Sequence, residues 1–199
     1  MTDVGLRECV PRLGVAKSAG APIANPNGTF TIPYTLLVRN FAPAGNAQYN
    51  LTNLRLTDDL ATAFAGATIN SVTNLQSPTL TVNPNFNGST DQNLLLPGNT
   101  LAAGASETLT FSVTITPGTG PTGFGPFNNT TIATATSQGG TDVTDRSNNG
   151  TNPDPDGDGD PTNNNVPTPI TLRPGGGGGT PRFRLVKRVT NVLRNGAAL

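Results

Sequence analysis

Two stretches of unbroken two-residue alternation constrain this 199-residue chain more than any other feature. In TFTIPYTLLV, Phe30, Ile32, Tyr34, Leu36 and Val38 fall on one side, and Thr31, Pro33, Thr35 and Leu37 on the other. In ETLTFSVTIT, Leu109, Phe111, Val113 and Ile115 oppose Thr108, Thr110, Ser112 and Thr114. Successive side chains of a strand point to opposite faces, so this pattern specifies a sheet with one face on a core and one in water. Pro33 removes a ladder donor, which predicts an edge strand or a bulge at that point. Weaker strands are read at Leu13–Ala19, Leu51–Leu56, Thr79–Val82, Thr130–Thr136 and Asp142–Asp145, with ITLRP as a last one. NPNG, NFNG, LAAGAS and SQGG supply the turns between them. Seven or more short strands punctuated in this way predict an all-β fold, a two-sheet sandwich.

Composition removes whole classes of chemistry. There is no histidine, so Ser-His-Asp, Cys-His and zinc sites lack their central part and an enzyme is not expected. Cys9 is the one cysteine, which excludes an internal disulfide and leaves a free thiol, an intermolecular bridge or an attachment point. No apolar run is long enough to span a membrane as a helix. Hydrophobic residues make up 34% of the chain, enough for a core, while Gly (24) and Pro (18) suit many turns. Net charge is zero but unevenly spread. All 12 acidic residues precede Pro161, whereas Arg182, Arg184, Lys187, Arg188 and Arg194 lie in the last twenty residues. That basic tail alternates with apolar side chains and has no aromatic platform beyond Phe183, so an acidic protein surface suits it better than nucleic acid.

The tail also repeats the start. PRLGVAKSAG begins at Pro11 and PRFRLVKRVT at Pro181, so that Pro11, Arg12 and Lys17 recur as Pro181, Arg182 and Lys187. Each copy runs on to an Asn-Gly turn, Asn27-Gly28 and Asn195-Gly196. The division read from this is an extension at 1–10, a β-sandwich repeat at 11–172 with an acidic loop at 148–169, a glycine linker at 173–180, and the first strand of a further repeat at 181–199.

VAKSAG, FTIPYTLLVRN, LTNLRLTDDLATAF, LAAGASETLTFSVTIT and FNNTTIATAT, in that order, resemble a bacterial Ig-like repeat of unassigned function. Such repeats occur in tandem in surface and secreted proteins and are related to the isopeptide-forming domains of fimbrial proteins. The acidic-glycine stretch and the PRFRLVKR opening are most similar to cyanobacterial versions. The resemblance implies an Ig-like sandwich outside the cell. NFAPAGNAQYNLTNL departs from it, being longer than the usual connection there.

Two constellations are candidates to carry chemistry. In DPDGDGDPTNNN, Asp154, Asp156 and Asp158 alternate and Gly159 follows, as in the first half of a calcium loop, where short carboxylates around a tight turn converge on a hard ion. Asp160 or Asn163 would complete the set, since position twelve is Asn165 and not a bidentate Glu. The alternative is a solvated acidic linker. The second constellation is implied by the fimbrial resemblance, in which a first-strand Lys is joined to a late-strand Asn beside a buried acid. The matching positions are Lys17, Asn129 (or Asn128) and Asp58; the alternative is a surface Lys and a turn Asn. An apolar setting favours the neutral forms that such chemistry needs.

The expected function is therefore an extracellular or cell-surface structural protein, either assembling head to tail by strand exchange or forming a module of a tandem array. In the strand-exchange version Phe183, Leu185, Val189 and Val192 would enter a neighbouring copy, with Arg182, Arg184 and Arg188 against its acidic body. The alternative is a calcium-dependent adhesin for a glycan or a cell surface.

Overall fold

The structure, a computed structural model, describes residues 12–173 together with the short stretches 193–194 and 197–198. Cys9 and the tail positions Arg182, Phe183, Arg184, Leu185, Arg188, Val189 and Val192 lie outside the described residues. The chain is mostly β, as the alternation predicts. In order it runs through β1 (Leu13–Ala19), β2 (Ile23–Ala24), β3 (Phe30–Asn40), β4 (Thr52–Asp58), the single-turn helix α1 (Leu60–Ala63), β5 (Thr68–Gln76) and β6 (Ser106–Thr116). Then come β7 (Phe127–Asn129), β8 (Thr131–Thr136), β9 (Asp142–Arg146), β10 (Asn148–Asn149) and β11 (Thr168–Ile170). Leu193–Arg194 and Ala197–Ala198, β12 and β13, pair antiparallel on either side of the expected Asn-Gly turn.

A six-stranded sheet has the order β10-β1-β3-β6-β5 with β2 also on β3; β4-β8-β9 form a three-stranded sheet, and β7 pairs with β11. The alternating stretches lie side by side in register, Phe30 opposite Ile115, Tyr34 opposite Phe111 and Leu36 opposite Leu109. Their apolar sets are buried as read, and they share one core with Leu54 and Leu56 of β4 and Ala133 and Ala135 of β8. β1 differs in kind. Leu13 to Lys17 are all buried, so this strand is covered on both faces and shows no clean alternation in sequence. It pairs antiparallel with β3 from Leu13–Asn40 to Ala19–Tyr34, and parallel with β10 at Ala16–Asn148 and Lys17–Asn149.

Two strand expectations need correction, and one strand was not expected. β3 is central, between β1 and β6, although it carries Pro33. The Pro33 carbonyl accepts from the Gly20 amide, and a strand residue's N–H and C=O point the same way, so the missing donor faces the bend where β1 has just ended. Residues 79–82 form no strand; Val82 makes only an isolated bridge to Leu95. β5 was not anticipated, because register shifts at Ile69/Ser71 and Thr73/Gln76, with Asn74 at φ 57°, break its two-residue period. The acidic segment is folded against the body. Pro153 and Pro161 close over Gly14, where an added Cβ would lie 3.0 and 2.8 Å from theirs.

Candidate functional site

The three positions implied for a crosslink come together in the core. Leu13, Val15 and Lys17 share one face of β1, so an amine occupies the third place of an otherwise apolar row. Asp58 follows Leu54 and Leu56 in the buried phase of β4 and sits directly opposite Thr131 of β8. On β7, Phe127 and Asn129 are buried while Asn128 is exposed, so strand phase selects Asn129 as the inward amide. Asn129 pairs across the ladder with Thr168, whose hydroxyl donates to the Lys17 carbonyl at 2.8 Å. Lys17, Asp58 and Asn129 are each 0% exposed.

Lys17 Nζ donates to Asp58 Oδ2 and to Thr131 Oγ1 at 3.2 Å, and Thr131 Oγ1 donates to Asp58 Oδ2 at 2.9 Å. The amine also lies 4.6 Å from the centroid of the Tyr34 ring and 5.7 Å from that of Phe111. Loss of hydration draws its pKa below the ordinary lysine value; the charge and hydrogen bond of Asp58 pull the other way without prevailing. Proton transfer across the Lys17–Asp58 hydrogen bond would leave both groups neutral, which relieves the cost of holding two charges out of water.

Polar groups in this pocket are left unpaired. Asp58 Oδ1, both side-chain polar atoms of Asn129 and the Tyr34 hydroxyl are buried without a hydrogen bond of proper geometry. The Tyr34 hydroxyl nevertheless lies against the Asn129 side chain, and burial raises its pKa far above the usual tyrosine range. Buried polar groups are nearly always satisfied, and each exception costs about 1–3 kcal/mol. Four such atoms in one place single out this pocket as the candidate site. On the outer side, a cleft of about 400 Å³ bordered by Asp59, Gln92, Asn128 and Arg146 reaches Asn129. Tyr34 and Thr131 were not singled out from the sequence; the one available signal was a phenol in the apolar phase of β3, whose hydroxyl needs a buried partner.

The acidic loop gathers Asp154, Asp156 and Asp158, with one carboxylate oxygen of each within 4.8 Å of the others. Asp154 is buried and accepts from the Gly157 and Gly159 amides, both at 3.1 Å. Those glycines have φ of 73° and 80°, a left-handed backbone that a side chain would resist. Asp158 accepts from the Asp160 amide and from Asn163 Nδ2. Such an all-oxygen set suits a hard divalent ion and can hold one. Asp160 is turned away: it caps the turn at Pro161–Asn163 and pairs with Arg12 at 3.7 Å. Asn165 directs its amide to the Thr162 carbonyl.

Comparisons of the chain with protein-family models, with characterised proteins and with solved structures found no match. The site must therefore be read from its own chemistry.

Proposed function

We propose that this chain is a structural module of the cell exterior, an Ig-like β-sandwich locked by an isopeptide bond between Lys17 and Asn129 and used in tandem array. The observation that carries this reading is the buried Lys17–Asp58 pair beside an Asn129 amide with no hydrogen-bond partner. The neutral Lys17 amine attacks Asn129 Cγ, forming the Nζ–Cγ bond. The Cγ–Nδ2 bond then breaks, and the leaving nitrogen departs as ammonia. Of the two amine hydrogens, one stays on the new amide. The other replaces, by way of Asp58, the proton that Asp58 gives to the leaving nitrogen, so the acid ends as it began. Burial at the pocket keeps the amine nucleophilic and excludes competing water.

Use in tandem is favoured over strand exchange by one fit. If the tail replaced β1, Arg184 would take the place of Gly14. Even a Cβ there would lie 2.6 Å from the Phe41 ring and 2.8 Å from Pro161. That clash counts against the tail as a replacement for β1 of a neighbouring copy and leaves the tandem reading. Calcium at Asp154, Asp156 and Asp158 would pin the acidic loop over Gly14.

The mass of the denatured full chain tests the crosslink. It should fall one ammonia below the sequence mass, and Asp58→Ala should restore the full value. A wild-type chain at its full sequence mass would end the proposal.

A further inference from the structure

A neutral Lys17–Asp58 pair has two arrangements, which differ in where the acid's proton sits. On Oδ2 the proton would point at Lys17 Nζ and occupy the lone pair that has to attack Asn129. On Oδ1 it leaves Nζ as the donor to Oδ2, with the lone pair free. The Lys17–Asp58 contact does not choose between them, because a neutral amine can donate to Oδ2 or accept from it. A third group at Oδ2 does. Thr131 Oγ1 lies 3.2 Å from Lys17 Nζ and 2.9 Å from Asp58 Oδ2. It accepts from the amine, so its own hydrogen is directed to Oδ2. Donors at an oxygen favour its unprotonated form, so the proton belongs on Oδ1, which has no partner in the structure.

Resting on the crosslink reading, we infer that Thr131 is a positioning residue of this site: its hydroxyl holds the proton of Asp58 on Oδ1 and so keeps the Lys17 lone pair free for attack. The same arrangement serves the acid step. Asp58 gives its Oδ1 proton to the leaving nitrogen and takes up the amine hydrogen at Oδ2, so the carboxyl neither gains nor loses a proton overall. The hydroxyl is itself well fixed. Thr131 is fully buried and opposite Asp58 on the β4–β8 ladder. Its amide donates to Ser147 Oγ at 2.9 Å, and its carbonyl accepts from the Ser147 amide at 2.8 Å. Asn129 lies two residues earlier, across the break between β7 and β8. One short stretch of chain thus carries both the target amide and the group that orients the acid.

The competing explanation is that Thr131 only fills space between β4 and β8. Two variants separate the readings, because Thr131→Val keeps the branched shape without the hydroxyl and Thr131→Ser keeps the hydroxyl without the methyl. Full-length chain made by cell-free synthesis is sampled over time into denaturant, and the fraction that has lost ammonia is read by mass. Thr131→Val should slow that loss by roughly ten- to a hundredfold, the range expected for losing one hydrogen bond to a charged or reacting group. Thr131→Ser should stay close to the wild-type rate. A space-filling role predicts the reverse order. Thr131→Val at the wild-type rate, or Thr131→Ser as slow as Thr131→Val, overturns the role of Thr131 while leaving the crosslink standing. If Thr131→Val fails to melt cooperatively, Thr131→Ala replaces it, and the comparison with Thr131→Ser decides in the same way. A wild-type chain that never loses ammonia overturns the crosslink and this role together.

Discussion

At the scale of single residues, Asp145 is the other buried acid that the fold leaves half satisfied. It is the one buried residue of β9; its Oδ2 accepts from the Val15 amide at 2.7 Å and its Oδ1 has no partner. Burial pushes its pKa up to about 7, backbone hydrogen bonds from Val15 and Arg146 oppose this, and the nearby charge of Asp160 adds to it. The folded state thus keeps a proton that the unfolded chain releases near pH 4. Stability from this group is full below about 4 and is lost as pH rises to about 7. Denaturant midpoints should therefore fall between pH 4 and 7.5 in the wild type and fall less in Asp145→Asn; equal slopes for the two proteins would show that Asp145 is not the cause. Asp59, Asp91 and Asp160 have lowered pKa values from their hydrogen bonds and act in the opposite sense, below about pH 4.

At the scale of elements, the legible part of the fold was the part with an intact period. β3 and β6 were read with their faces correct because ten residues alternate without interruption. β5 escaped because its two bulges displace the pattern, and such shifts depend on the partner strand rather than on local sequence. Phase also decided what could be read of the site. Asp58 and Asn129 lie on strands that are otherwise apolar inward, so their burial follows from position, but the choice of Asn129 over Asn128 had to wait for the β7–β11 register. Tyr34 and Thr131 are ordinary strand residues, and only the three-dimensional meeting of β1, β3, β4 and β8 brings them to Lys17 and Asp58. The acidic loop had no period to read, yet it closes tightly on β1 at Gly14. Gly14→Ala should accordingly cost about 1–3 kcal/mol by overpacking against Phe41, Pro153 and Pro161. Chemical denaturation would measure this, and a variant as stable as the wild type would mean that the loop is not seated there in solution.

At the scale of the whole molecule, the proposed crosslink would determine which part of the chain bears tension. With that bond formed, a pull applied to the two ends would enter at β1, cross from Lys17 to Asn129 and continue from β7, so residues 18–128 would be bypassed. The unprotected remainder holds β8, β9, the acidic loop and β11. Calcium at Asp154, Asp156 and Asp158 would support that remainder. With the ion about a hundredfold above its Kd, chelation should lower the melting temperature by about 5–10 °C, and Asp156→Ala should abolish the difference. A melt indifferent to chelator would leave the carboxylates as a loop held by its own hydrogen bonds.

The central claim is that a covalent tie between Lys17 and Asn129 shields most of the fold from force, and single-molecule stretching of the full chain tests it most directly. The wild type should release roughly 380 Å less extended chain on unfolding than Lys17→Ala, the length of the bypassed segment at about 3.4 Å per residue. Equal released lengths in the two proteins would contradict the account.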